Sequence, residues 1–343
     1  MARGADRYEH YEDRVRSRPN RRGSRPRTKD RPRHADAVLG RVVAIDRGRY
    51  TTLVEERLVM AMKARELGRK SVVVGDEVGL VGDISGSPDA LARIVRVQER
   101  RSVLRRTADD TDPVERVIVA NADQLAIVTA LADPEPRPRM VDRCLVAAYD
   151  AGLDPLLVLT KSDLADPADF LARYSELGVR AVVTCLDEET AGTVNGAEGV
   201  LHHLVDRVTV MVGHSGVGKS TLVNALVPGA GRATGQVNDV TGRGRHTSTS
   251  AVALALPEGG WVIDTPGVRS FGLAHVPLAE IVGFFDDLAP GTEGCPRGCS
   301  HDETECGLDV FVADGGAGDG GSARLDSLRR LLRARSGESD RDD

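Results

Sequence analysis

Aromatic side chains make up only 3% of the 343 residues, and the stretch 36–104 contains a single one, Tyr50. A surface that binds single-stranded nucleic acid by stacking needs several rings, so that mode of recognition is excluded for this stretch. Cysteine is equally sparse: there are five, and three of them fall within the twelve residues Cys295–Cys306. This clustering excludes a disulfide framework and points to a metal site in a reducing compartment. No apolar run approaches the ~18 residues that would span a bilayer. The N-terminus is too charged for a signal peptide. A cytoplasmic monomer without membrane contact is therefore expected. The 41% of hydrophobic residues suffices for two or three domains with their own cores.

Charge is unevenly spread. Residues 1–35 hold 12 Lys/Arg against 5 Asp/Glu, a net of +7, whereas the remaining residues hold 34 against 47, a net of −13. The tail lacks apolar periodicity and is expected to be disordered, its arginines either contacting RNA phosphates or only solubilising the chain. Residues 36–104 read as five or six short strands separated by Gly and Asp turns, among them Val72–Val74, which suggests a small barrel of the OB type. Arg93, Arg96, Arg100, Arg101, Arg105 and Arg106 form a basic edge that either follows a phosphate backbone or is merely solvated.

From Val117 strands and helices alternate. Leu125–Ala130, Pro155–Thr160, Ala181–Thr184 and Val208–Val212 read as buried strands, with helices over Met140–Tyr149 and Phe170–Leu177, so residues 105–275 form an α/β domain with a largely parallel sheet. Arg232–Ser250 reads as a long mobile loop, Gly315–Gly321 as a low-complexity linker, Ser322–Arg333 as an amphipathic helix and 336–343 as an acidic tail. The remaining segment, 276–335, holds the cysteine cluster.

Chemistry concentrates at Gly213-His214-Ser215-Gly216-Val217-Gly218-Lys219-Ser220, followed by Thr221. This is a phosphate-binding loop between strand and helix. Its glycines permit backbone conformations in which successive N–H groups wrap a phosphate, and the helix N-terminus adds positive potential. Lys219 is expected at the β and γ phosphates, and Ser220 at Mg²⁺. Forty-five residues beyond Lys219, an apolar strand ends in Asp264-Thr265-Pro266-Gly267. There Asp264 would support Mg²⁺ and Gly267 would sense the γ-phosphate. The next position, often a water-orienting glutamine in GTPases, is Val268. His246, in Gly244-Arg245-His246-Thr247, is the candidate to orient water, with a solvated or RNA-contacting loop imidazole as the alternative; Thr247 would close on Mg²⁺.

Thr160-Lys161-Ser162-Asp163, at the end of a buried strand, is the base-reading candidate. A carboxylate such as Asp163 accepts from the N1–H and exocyclic amine of guanine, while the Lys161 stem covers the ring. Readers of this type normally begin with Asn, and Thr160 makes fewer bonds than an amide. The motif precedes the phosphate loop, by 58 residues from Lys161 to Lys219, the reverse of the usual order. Either the domain is circularly permuted, which is easy where the original termini are close, or the Thr160–Asp163 match is coincidence. Cys295, Cys299, His301 and Cys306 offer three thiolates and an imidazole, the ligand set of a closed, structural Zn²⁺ site.

A small barrel, a permuted GTPase and a Cys-Cys-His-Cys module, in that order, resemble the RsgA family of GTPases that depend on the small ribosomal subunit. The resemblance rests also on Val74-Gly75-Asp76, Ala120-Asn121-Ala122-Asp123-Gln124, Gly244-Arg245-His246-Thr247 and Asp264-Thr265-Pro266-Gly267. It implies GTP hydrolysis with Mg²⁺, stimulated by the 30S subunit late in its maturation, release on hydrolysis, and 16S rRNA as partner. It also implies His246 as the substitute for a glutamine where Val268 stands. The zinc spacing is shorter than the family's by one residue in each of two gaps, and a base-binding element near Val183-Thr184-Cys185 is poorly matched and left unassigned. Two other readings stay open: an rRNA-binding scaffold for which nucleotide is a structural or sensing ligand, and an ATP-dependent phosphate-loop enzyme.

Overall fold

The computed structural model describes residues 34–68, 71–107, 114–187, 189–190, 193–230, 251–265, 272–303 and 305–336. The basic tail before residue 34, the 232–250 loop and the acidic tail after 336 lie outside the described residues. The first strands are β1 (Val38–Asp46), β2 (Arg49–Val54), β3 (Arg57–Lys63), β4 (Glu77–Gly82) and β5 (Ala92–Val97). Arg47 and Gly48, both at positive φ, make the two-residue turn between β1 and β2, the geometry that matches the twist of paired strands. Antiparallel pairing runs β1-β2-β3 and β4-β5, β3 joins β5 in parallel, and β4 returns to β1. These five strands close a barrel of the OB type around Val42, Val54, Val59, Val78, Leu80 and Ile94.

The α/β part begins with the hairpin β6 (Val103–Arg106) and β7 (Arg116–Ala120). It continues through β8 (Gln124–Ala130), α1 (Pro138–Asp150), β9 (Asp154–Thr160), α2 (Ala168–Ser175) and β10 (Arg180–Val183). A small hairpin, β11 (Cys185–Leu186) and β12 (Val194–Asn195), leads to α3 (Ala197–Leu204), β13 (Val208–Gly213), α4 (Lys219–Leu226), β14 (Val252–Ala255) and β15 (Trp261–Asp264). The sheet order is β10-β9-β8-β13-β15-β14, parallel except for β14. Both faces are covered, one by a core that includes α1 and the C-terminal helix, the other by α3 and α4. That double cover explains why β8 and β13 are apolar runs, buried at every position, rather than alternating.

The barrel and the α/β sheet are one hydrogen-bonded surface, because β1 pairs β14 at Ala44↔Val252. A bulge between Val42 and Ala44 bends β1 so that it serves both. A second joint uses the residues expected as strand Val72–Val74. They form a turn instead, since the Asp76 carboxylate accepts from Val73 N–H at 2.8 Å, and Val74 makes only an isolated bridge to Val119. Gly75 sits at φ +90°, and a Cβ there would lie 2.0 Å from the Ala120 carbonyl oxygen. Asn121 Nδ2 donates to Gly75 O at 3.0 Å, and Arg100 grips the wholly buried Asp76 at 2.7 and 2.9 Å. Arg101 pairs with Asp123 at 2.8 Å and Arg105 with Glu115 at 3.3 Å. Three arginines of the basic edge thus have intramolecular partners.

The C-terminal module contains α5 (Leu278–Val282), a 3-10 turn (Ala289–Gly294), α6 (Gly307–Ala313) and α7 (Gly321–Ser336). Gly315–Gly321 is not a linker. Gly315 and Gly316 N–H groups donate to Val312 and Phe311 carbonyls at 3.0 and 2.9 Å, and a Cβ on Gly316 would strike the Phe311 ring, so the glycines form a tight packed turn. Leu325, Leu328, Leu331 and Leu332 of α7 share a core with Val141, Leu145 and Ala148 of α1. Each such leucine contributes about 1.5–3 kcal/mol by leaving water. The short apolar stripe expected in this helix is therefore the seam that fastens the module to the α/β domain.

Candidate functional site

The phosphate loop begins where β13 ends. Gly216 and Gly218 lie at φ +85° and +87°, a region closed to most side chains, and α4 starts at Lys219 with its first N–H groups facing the loop. The loop bounds a cleft of about 570 Å³ that also takes in Thr160, Lys161 and Asp264, a volume within the range of small-ligand sites. Gly213, His214, Ser215, Ser220 and Thr221 line it too. Val217 does not; its side chain is buried in the core under the loop beside Leu222 and Val223. Lys219 Nζ is paired with the Asp264 carboxylate, so the two residues that were 45 apart in sequence meet at one end of the cleft. Parallel pairing of β13 with β15 puts them there, with Met211 opposite Asp264. Thr265 holds the turn by donating its hydroxyl to Met211 O at 2.7 Å.

The turn after β9 closes another side. Lys161, at φ +60°, directs its ammonium to the Asp133 carbonyl, and Thr160 donates its hydroxyl to Val217 O at 2.6 Å. Ser162 N–H donates to Thr184 O at 3.2 Å. Asp163 follows as an exposed residue, and neither Ser162 nor Asp163 lines the cleft. Thr184, Cys185, Leu186 and Val194 do line it. Thr184 and Cys185 fall in the poorly matched base-binding element left unassigned from sequence; position after β10, at the C-terminal edge of a parallel sheet where ligands bind, is the signal that could have assigned them. His246, Thr247, Gly267 and Val268 lie outside the described residues.

The four candidate metal ligands converge. One donor atom from each of Cys295, Cys299, His301 and Cys306 lies within 4.8 Å of all the others. Cys295 Sγ is 3.7 Å from Cys306 Sγ, and His301 Nδ1 is 3.5 and 3.7 Å from those two sulfurs. A tetrahedral Zn²⁺ site with ordinary bond lengths has edges of about 3.8 Å between sulfurs and about 3.6 Å from sulfur to nitrogen. Those three donors therefore match the edges of such a site despite the shortened spacing, and the Cys299 sulfur lies within 4.8 Å of each of them. Desolvation lowers the His301 pKa, favouring the neutral imidazole that ligates. The loop is clamped by α7: Arg329 donates to His301 O at 3.1 Å and to Asp309 at 2.7 Å, and Arg333 holds both oxygens of Asp302 at 2.8 Å.

A family model for the RsgA GTPase matches residues 97–274. The chain is 36% identical over 279 residues to the small ribosomal subunit biogenesis GTPase RsgA 1 of Vibrio vulnificus strain YJ016, covering 77% of this chain and 74% of that one. To the small ribosomal subunit biogenesis GTPase RsgA of Pseudomonas fluorescens strain SBW25 it is 39% identical over 273 residues, covering 76% and 74%. Among solved structures, YjeQ from Thermotoga maritima superposes with a TM-score of 0.62 at 27% identity, over 88% of this chain and 99% of that one. YloQ, described as a circularly permuted GTPase, superposes with a TM-score of 0.59 at 22% identity, over 91% and 100%. Strand order, cleft and matched sequence agree, and the chain belongs to the RsgA GTPase family, with the family's permuted fold and GTP hydrolysis as its activity.

Proposed function

We propose that the chain hydrolyses GTP in the cleft at Gly213–Thr221 and acts as a timed factor in late maturation of the 30S ribosomal subunit, which stimulates hydrolysis and is released by it. The observation that carries the reading is the convergence of Lys219, Asp264 and the Thr160-Lys161 turn on one cleft, taken with relatives named for small-subunit biogenesis. In this reading Lys219 binds the β and γ phosphates. Ser220, Thr247 and Asp264 serve Mg²⁺, Gly267 senses the γ-phosphate, and Asp163 reads guanine once the turn closes on the base. His246 orients the attacking water. The chain works in the cytoplasm as a monomer divided into tail (1–35), barrel (36–104), GTPase domain (105–275), zinc module (276–335) and acidic tail (336–343). The tail, barrel and zinc module meet 16S rRNA, and a structural Zn²⁺ holds the ligand loop.

Phosphate release from GTP and ATP, with and without purified 30S subunits, tests this in the wild type and His246→Ala. GTP-selective turnover that rises with 30S and collapses in the variant is the expected result. Turnover indifferent to 30S, with GTP binding retained, would leave an rRNA-binding scaffold that uses nucleotide as a sensing ligand. Comparable use of ATP would remove the guanine reading.

A further inference from the structure

We infer that Thr160 is a positioning residue, which ties the phosphate loop to the end of β9 and takes no part in reading the base; the inference rests on the cleft being the guanine nucleotide site. Thr160 is 6% exposed. Its hydroxyl oxygen lies 2.6 Å from Val217 O and 3.4 Å from Thr129 O. Both neighbours are carbonyls, which only accept, and a hydroxyl has one proton; the shorter contact takes it. The rest of the side chain packs on the loop. A Cβ built on Gly218 would lie 3.7–3.9 Å from Thr160 Oγ1, Cβ and Cγ2, so the Thr160 side chain stands one methyl's width from the loop backbone.

Guanine O6 and N7 are acceptors, and a residue reading either must donate. Thr160 has already committed its proton to Val217 O. Base discrimination therefore falls to other groups, Asp163 first among them. The role left to Thr160 concerns the phosphates: Val217 precedes Gly218 and Lys219, so the bond fixes the loop segment whose N–H groups face the phosphate, whatever base the nucleotide carries.

Calorimetric binding of GDP and 7-deaza-GDP, which lacks the N7 acceptor, to the full chain with Mg²⁺ tests the assignment in wild type, Thr160→Val, Thr160→Ser and Lys219→Ala. Loss of one buried hydrogen bond weakens binding by about tenfold. The expected result is that Thr160→Val weakens both ligands by that factor, with the GDP to 7-deaza-GDP affinity ratio unchanged. Thr160→Ser, which keeps the hydroxyl, should return to within about threefold of wild type. A ratio that collapses to one in Thr160→Val would show that the hydroxyl reads N7 and would overturn the proposal. So would unchanged binding of both ligands by that variant. If instead the wild type binds neither ligand, or Lys219→Ala binds like wild type, the cleft is not the nucleotide site and both readings fall together.

Discussion

Arg330 on α7 reaches Asp142 on α1 at 3.1 Å, and the carboxylate it meets is 2% exposed. Arg330 also lies 5.0 Å from the Tyr174 ring centroid. Desolvation raises the Asp142 pKa, and the charge of Arg330 opposes that rise. The pair is thus a charged pin through the apolar seam between the C-terminal helix and the α/β domain.

Arg330→Met should leave the Asp142 charge buried without its partner and cost about 3–5 kcal/mol of stability at neutral pH. A raised carboxyl pKa favours the protonated folded state, so its contribution is full below the unfolded value of about 3.9 and is lost as pH rises through the folded value. The gap between variant and wild type should therefore widen from pH 5 to pH 8 in urea denaturation. Arg330→Met with Asp142→Leu should recover most of the loss. A single variant with wild-type midpoints at both pH values would refute the pin.

Arg324 holds both oxygens of Asp287, at 2.9 and 2.8 Å, and this hydrogen bonding keeps the Asp287 pKa below the ordinary carboxylate value. A depressed carboxyl pKa adds stability above the unfolded value, about 3.9, and that share is lost as pH falls through the folded pKa. Asp287→Asn should melt below wild type at pH 6, and the two melting curves should converge as the pH drops below 4. A difference that persists unchanged through that window would count against the ion pair as its source.

At the joint between barrel and α/β domain, Gly75→Ala adds a methyl 2.0 Å from the Ala120 carbonyl oxygen at φ +90°. The conformation alone costs about 1–3 kcal/mol, and the clash forces the backbone apart. A total loss of about 3 kcal/mol or more is expected, in the class of large mutational effects. Chemical denaturation measures it directly, and a loss under about 1 kcal/mol would mean that the joint yields freely.

Cys306→Ser removes one of four donors that lie within 4.8 Å of one another. Metal analysis should find about one zinc per wild-type chain and a much smaller fraction in the variant. Proteolysis should then begin within residues 289–313 in the variant and in chelator-treated wild type. Equal zinc content in both would remove Cys306 from the ligand set.

Much of this molecule was legible before any geometry. Gly213–Ser220 carries its own local rules, glycines where φ turns positive and an apolar strand before a helix, so the phosphate loop and its flanks could be read from adjacent residues. The same holds for the alternation of strands and helices, because burial on both sheet faces writes continuous apolar runs into β8 and β13. The candidate metal ligands needed only residue type and proximity in sequence. Their convergence within 4.8 Å needed coordinates, since two gaps are a residue short and the chain between them turns at Gly298 and His301, both at positive φ.

What tertiary structure alone decided were the relationships between distant segments. Val74-Gly75-Asp76 reads as a strand end, yet it is a joint, because the constraint is the Ala120 carbonyl arriving from 45 residues away. Arg100 reads as surface charge, yet it satisfies a buried carboxylate. The pairing of β1 with β14 depends on a bulge that period-two patterning cannot show. Thr160 reads as a weak base reader, and its proton is spent on Val217, 57 residues on. In each case the side chain's partner is fixed by how strands stack in the sheet, a long-range choice made by burial and hydrogen-bond closure. Local sequence sets each residue's capacity to bond; the fold decides where that capacity is used.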